Sequence, residues 1–217
     1  MSHCRRLAAT AVFGVGASLA GAQVTQQGAA YLFRLHLTKG EKINFRIPFS
    51  ISGMGNGFNN LQFGMHLKVL EVGASGRATV HCNVDMGSFP MPGNAPKSGD
   101  FVVDQRGRVR DQGSAPVGFC VIYPKDPVNV GGKFVAPLPS AIGGQGGQAT
   151  FKFLGFSGTG AHRQARLSYT VTGHKAPGGT LLVRVSDGVI DKFYTSFVAM
   201  TPQAGQPLTV SATIIRK

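Results

Sequence analysis

The five histidines beyond the N-terminal segment, His36, His66, His81, His162 and His174, are the first residues to test for metal or acid–base chemistry. None stands at the HxxxH, HxH or CxxC spacing that presents two ligands to one ion. His36 and His81 fall on the polar sides of alternating segments, where a solvated imidazole is the ordinary state. The nine carboxylates are dispersed, with Glu41, Asp85, Asp100, Asp104, Asp111, Asp126 and Asp187 at turns or polar alternating positions. Aspartate at a turn bonds its own backbone. A glycosidase-type carboxylate pair would usually sit among aromatic sugar platforms, and this chain has no Trp. GFSGTG at 155–160 fails the nucleophile-elbow pattern because Thr159 stands where the last glycine is required. No glycine run is followed by the GK[ST] of a phosphate-cradling loop. No catalytic residue, metal or cofactor is therefore predicted, and a hydrolase assembled from scattered Asp and His remains the enzymatic alternative.

Cys82 and Cys120 remain once Cys4 is set aside with the N-terminal segment. An even pair is compatible with a disulfide in an oxidising compartment. Two buried thiols acting as small apolar side chains fit equally, because sequence does not supply their separation.

The positive chemical signal is charge. The chain carries 22 Lys+Arg against 9 Asp+Glu, a formal net charge of +13. Arg34, Lys42, Arg46, Lys68, Arg77, Arg166, Arg184 and Lys192 all come from strand-like segments. Of these, Arg34, Arg46, Lys68, Arg77, Arg166 and Arg184 are the predicted rim for an anionic ligand, with an ordinary solvated face as the alternative. Such a field attracts polyanions without choosing among them. Nucleic acid is disfavoured, since the aromatics fall mainly on apolar faces instead of forming exposed stacking platforms beside Lys and Arg.

The elements that must position these residues read as strands. Between residues 77 and 86, Ala78, Val80, Cys82, Val84 and Met86 alternate with Arg77, Thr79, His81, Asn83 and Asp85. A strand points successive side chains to opposite faces, so one side is dry and the other wet. The same period recurs over 31–38, 43–51, 165–172 and 208–214. Half-wet alternation indicates antiparallel sheet, because parallel strands are apolar on both faces. Residues 38–41 are expected to reverse a first hairpin and 73–76 a second. Tight turns are expected at 104–107 and 187–188, and a longer hairpin loop at 155–160. Residues 53–60 read as a Gly/Asn loop. Residues 124–147, with four prolines and a terminal glycine run, read as a crossing or loop that cannot be a central strand. A weak repeat at an offset of about 85 residues pairs a long hairpin and a short one (63–86, then 104–107) with another such set (149–172, then 187–188). Two halves of one curved sheet would explain it, and so would the general likeness of hairpins.

Residues 1–22 have the three parts of an export signal. Arg5 and Arg6 precede an uncharged apolar stretch at 7–19, and Ala20-Gly21-Ala22 supplies the small-x-small cleavage pattern. Removal would leave 20 Lys+Arg and a net charge of +11. No later stretch is long and apolar enough to predict a transmembrane segment.

PVNVGGKF at 127–134, a proline followed by V-x-V-G-x-x-aromatic with Phe134 as the aromatic, resembles a pattern in exported bacterial all-β proteins of uncharacterised function. The succession of long hairpins is also similar to the open half-barrels of periplasmic lipoprotein carriers. Neither resemblance brings catalytic residues. Together these readings predict a periplasmic or secreted protein with one all-β domain over 23–217. That domain would be a curved antiparallel sheet, an open barrel or a sandwich built from successive hairpins. It would be non-enzymatic and bind lipid, lipopolysaccharide or acidic polysaccharide, acyl chains on the concave side and head groups at the basic rim. A structural or adhesive surface module is the third reading.

Overall fold

A computed structural model describes residues 24–52, 61–85, 98–110, 118–139, 147–171, 178–200 and 207–217. The predicted export signal, the 53–60 loop, Met86, Asp111, His174 and Gly143 to Gly146 lie outside the described residues. Two short strands open the chain, β1 (Val24–Gln27) and β2 (Ala30–Phe33). Next come β3 (Lys42–Ser52), β4 (Leu61–Val72), β5 (Ala78–Asp85), β6 (Ser98–Val103) and β7 (Val109–Arg110). Then follow β8 (Val128–Asn129), β9 (Lys133–Pro137), β10 (Gln148–Ser157), β11 (Gln164–Val171) and β12 (Gly179–Arg184). The last two are β13 (Ile190–Met200) and β14 (Pro207–Arg216). One 3-10 turn, Gly160–His162, lies between β10 and β11. Among the described residues, no helix is long and apolar enough to cross a membrane.

The strands form an all-antiparallel sheet of eleven, in the order β7-β6-β5-β4-β3-β14-β13-β12-β11-β10-β9, and a small sheet β1-β2-β8. The all-β antiparallel class read from the alternation is the observed one. β5 shows why: Ala78, Val80 and Cys82 are buried while Asn83 and Asp85 are exposed. A one-residue slip would bury the wet set, so the pattern itself specifies register.

The large sheet is not flat. β6 and β12 lie six places apart, as do β7 and β13, which in a flat sheet would separate them by about 29 Å at ~4.8 Å per strand. Yet the turns following β6 and β12 both bond one extended segment. Leu35 N–H donates to Gln105 O (2.6 Å), and the next residue, His36, donates to Asp187 O (2.9 Å). Adjacent Cα atoms are only ~3.8 Å apart, so the sheet must curl around this strap. The two sets of hairpins in the suspected repeat, β4–β7 and β10–β13, occupy the sheet in the same order.

The inner face of the curl is filled by the chain itself. Phe33 stacks on Tyr123 (5.7 Å) and meets Phe153 of β10 edge-on (5.1 Å), while Phe119 packs on Phe101 of β6 (5.6 Å). Inward residues of both sheets and of 119–123 belong to one buried cluster. The concave face expected to receive acyl chains is therefore lined with side chains that already touch the strap and the small sheet.

Three local expectations are corrected. Residues 30–33 do not form a hairpin with β3; they pair with β1 and β8, while β3 lies between β4 and β14. The 38–41 turn does form, closed by Glu41 N–H to Thr38 O, but it leads from the strap into the sheet. Residues 124–147 contain β8 and the edge strand β9, where Pro137 is tolerated because an edge needs no second ladder. Gly155 lies within β10 beside a bulge, so the loop of that hairpin begins only at Gly158.

Candidate functional site

The predicted rim separates into three groups. Arg34 is withdrawn from any ligand. Its guanidinium donates to Phe33 O (2.7 Å), Pro124 O (3.0 Å) and Lys125 O (2.8 Å), clipping the strap to the segment before β8. Burial, and then the charge of Arg106, pull its pKa below the usual guanidinium value. Arg184 is likewise committed, 2.9 Å from Asp191, which also accepts from Gln164 Nε2. Arg77 is exposed at the β4–β5 turn, and Lys68 is exposed on β4 between Lys42 on one side and His81 on the other.

Arg46 and Arg166 are brought onto one row. Register places Arg46 of β3 opposite Ile215 of β14, Ile215 opposite Lys192 of β13, Lys192 opposite Leu182 of β12, and Leu182 opposite Arg166 of β11. An exposed cation therefore stands on every second strand, about 10 Å from the next, with an aliphatic side chain between each pair. The row continues a wider bias. From β9 across to β3 the outward cations Lys133, Lys152, Arg166, Lys192, Arg46 and Lys42 are exposed, and none makes an ion pair among the described residues. The only carboxylate on these seven strands is Asp191, already held by Arg184.

Lys133 and Lys152 were missed by the sequence reading. Lys152 had a signal, since Phe151-Lys152-Phe153 has the period of a one-sided strand. Lys133 lies in the segment read as a crossing, where no face can be assigned.

Other polar groupings sit elsewhere. His81 Nδ1 lies 2.5 Å from Asp100 Oδ1, both exposed on the outer face, and His66 Nδ1 lies 2.9 Å from Asn44 Oδ1. Among the described residues no three His, Cys, Asp or Glu side chains are grouped to hold a metal ion. Cys82 and Cys120 are free, buried thiols. Burial pushes the Cys82 thiol up to about 12 and raises that of Cys120 further. Thiolate is the reactive form, so neither position suits a nucleophile.

At the strap, Arg216 Nη1 lies 2.6 Å from Asp187 Oδ2 and Nη2 lies 3.5 Å from Glu41 Oε1, with only 8% of the arginine side chain exposed. Tyr123 OH donates to Gly188 O. These groups lock the strap and offer no open reactive atom. The PVNVGGKF segment is the β8–β9 turn joining the two sheets, closed by Gly132 N–H to Asn129 O (2.8 Å). Its Phe134 stacks on Phe151 at 5.3 Å.

No protein-family model matches this chain, and no curated protein or solved structure matches it significantly.

Proposed function

We propose that this protein is an exported, non-enzymatic envelope protein that binds an anionic amphiphile or other anionic envelope component on the outer face of its curved sheet. The carrying observation is the run of exposed cations from β9 to β3 that make no ion pair among the described residues, with one carboxylate on those strands, already held by Arg184. Cations spaced about 10 Å apart on alternate strands suit an extended array of negative groups better than one small anion. Ile215 and Leu182 give the same surface apolar ground between the charges. The packing of the strap and the small sheet on the concave side supports the convex side as the ligand face. A hydrolase would draw on the His81–Asp100 pair, but both residues stand exposed on the outer face of the sheet, whereas catalytic groups usually converge in a concave pocket.

The test is binding to lipopolysaccharide micelles and to heparin across a salt series. Binding should weaken steeply as salt screens the face. The triple variant Arg46→Ser/Arg166→Ser/Lys192→Ser should bind about a hundredfold more weakly, at roughly 1 kcal/mol per basic residue near an anionic surface. Arg77→Ser, at the β4–β5 turn outside this run of strands, should bind nearly as wild type. Salt-insensitive binding, or none at low ionic strength, would overturn the reading.

A further inference from the structure

Five large apolar side chains are exposed among the described residues, and four of them cluster with the cations. Val130 lies in the β8–β9 turn, Val135 on β9, Leu154 on β10 and Tyr194 on β13; the fifth, Val72, ends β4. Val135 is 65% exposed and Leu154 37%. A Cβ built on Gly155 would lie 3.8 Å from Val130 Cγ1, so the turn valine reaches β10.

The charges in this corner are arranged unfavourably for an isolated protein. Lys133 of β9 is directly opposite Lys152 of β10, and Val135 is opposite Thr150. Like charges facing each other across strands destabilise a sheet. No carboxylate on β9, β10 or β11 offsets them. Among the described residues β9 is also the last strand of the large sheet. A pair of opposed lysines on an edge, ringed by Val130, Val135 and Leu154, combines an anion demand with apolar surface that a soluble polyanion would leave in water.

We propose that this β9–β10 edge rests on the surface of an anionic phospholipid bilayer, with Lys133 and Lys152 sharing lipid phosphate and Val130, Val135 and Leu154 entering the boundary between head groups and acyl chains. Lysine suits this, because its apolar stem lies along the boundary while its ammonium reaches outward. The site rests on the reading that the outer face binds an anionic envelope component, and it names the bilayer as that component.

The experiment uses the purified protein, with vesicles of phosphatidylcholine alone and of phosphatidylcholine mixed with phosphatidylglycerol, and heparin as a soluble comparison. Wild type should bind the mixed vesicles and not the neutral ones. Lys133→Ser/Lys152→Ser should lose about 30-fold on mixed vesicles, roughly fivefold per lysine. Val135→Ser/Leu154→Ser keeps every charge, so it should hold heparin as wild type does while losing about tenfold or more on vesicles. All four positions are exposed, and circular dichroism checks that the variants fold. Heparin binding with vesicle binding unchanged in Val135→Ser/Leu154→Ser would overturn the bilayer site while leaving the broader anionic reading intact. Failure of wild type to bind either probe would sink both. A dimer in solution that Val135→Ser abolishes, with no effect on vesicles, would assign the edge to a second copy of the chain and overturn the proposal.

Discussion

A buried thiol is the simplest case in which a single position and its environment can be read together. Cys82 stood on the dry face of an alternating segment, and it is fully buried on β5. Its pKa rises from an ordinary 9.0 to about 12 because burial disfavours the thiolate. The unfolded chain therefore releases this proton first as pH climbs, and the folded state loses stability between about pH 9 and pH 12. Chemical denaturation across that window should show the decline, and Cys82→Ala should make it shallower. Neither Cys82 nor Cys120 should react with a thiol reagent at pH 8 until the protein is unfolded, and both should then titrate. A pair that stays unreactive in denaturant without reductant would instead be disulfide-bonded. Arg34 shows what a position conceals. Its strand-like context suggested an exposed cation, but two of its three partners are carbonyls 90 and 91 residues away, and no local pattern encodes a contact of that range.

Strands were legible because burial on one side imposes a period of two on the residues themselves. Pairing was less so. Residues 31–37 alternate as well as 43–51 do, yet the first set joins a separate small sheet and then leaves sheet structure altogether, since alternation says which face is dry without naming the neighbour. The turns at 104–107 and 187–188 were visible as Asp/Gly punctuation, but their meeting on one strap was not. Gly188 carries the second turn's approach to the strap, and Gly107 carries the first turn's approach to residues 120–121, with φ of 73° and 79°. A methyl at Gly188 would overlap Arg34 O, and one at Gly107 would overlap Val121 O. Gly40 has a similar φ of 83° with nothing within 4 Å of the added carbon. Thermal or urea unfolding should therefore show Gly40→Ala losing about 1 kcal/mol, the strain of a left-handed conformation alone. Gly188→Ala and Gly107→Ala should lose clearly more, because the strap backbone at Arg34 in the first case, and the backbone at Val121 in the second, must also shift. Equal losses at all three would mean that the close approach is not carried by these glycines.

The whole molecule was legible as a class and not as a shape. Alternation established that one face of the sheet is covered; it could not show that the chain's own aromatics cover it, and so the ligand was first placed inside. The outer cation row escaped for a related reason, because Arg46, Lys192 and Arg166 come together only through the register of five strands. The Glu41–Arg216–Asp187 group ties the strap's exit into β3 and the β12–β13 turn to the end of β14. Removing the guanidinium in Arg216→Ala would leave two shielded carboxylates without their partner, at a cost of about 3 kcal/mol or more in global unfolding. A loss below about 1 kcal/mol, the size of a surface pair, would show that the group is not a lock. The same group has a kinetic consequence. Arg216 reaches back across 175 residues to Glu41, so in a chain emerging N-terminus first this contact must wait for β14. Loop closure over such distances is slow, and the β3–β14 ladder at the middle of the sheet can form only after synthesis has delivered β14.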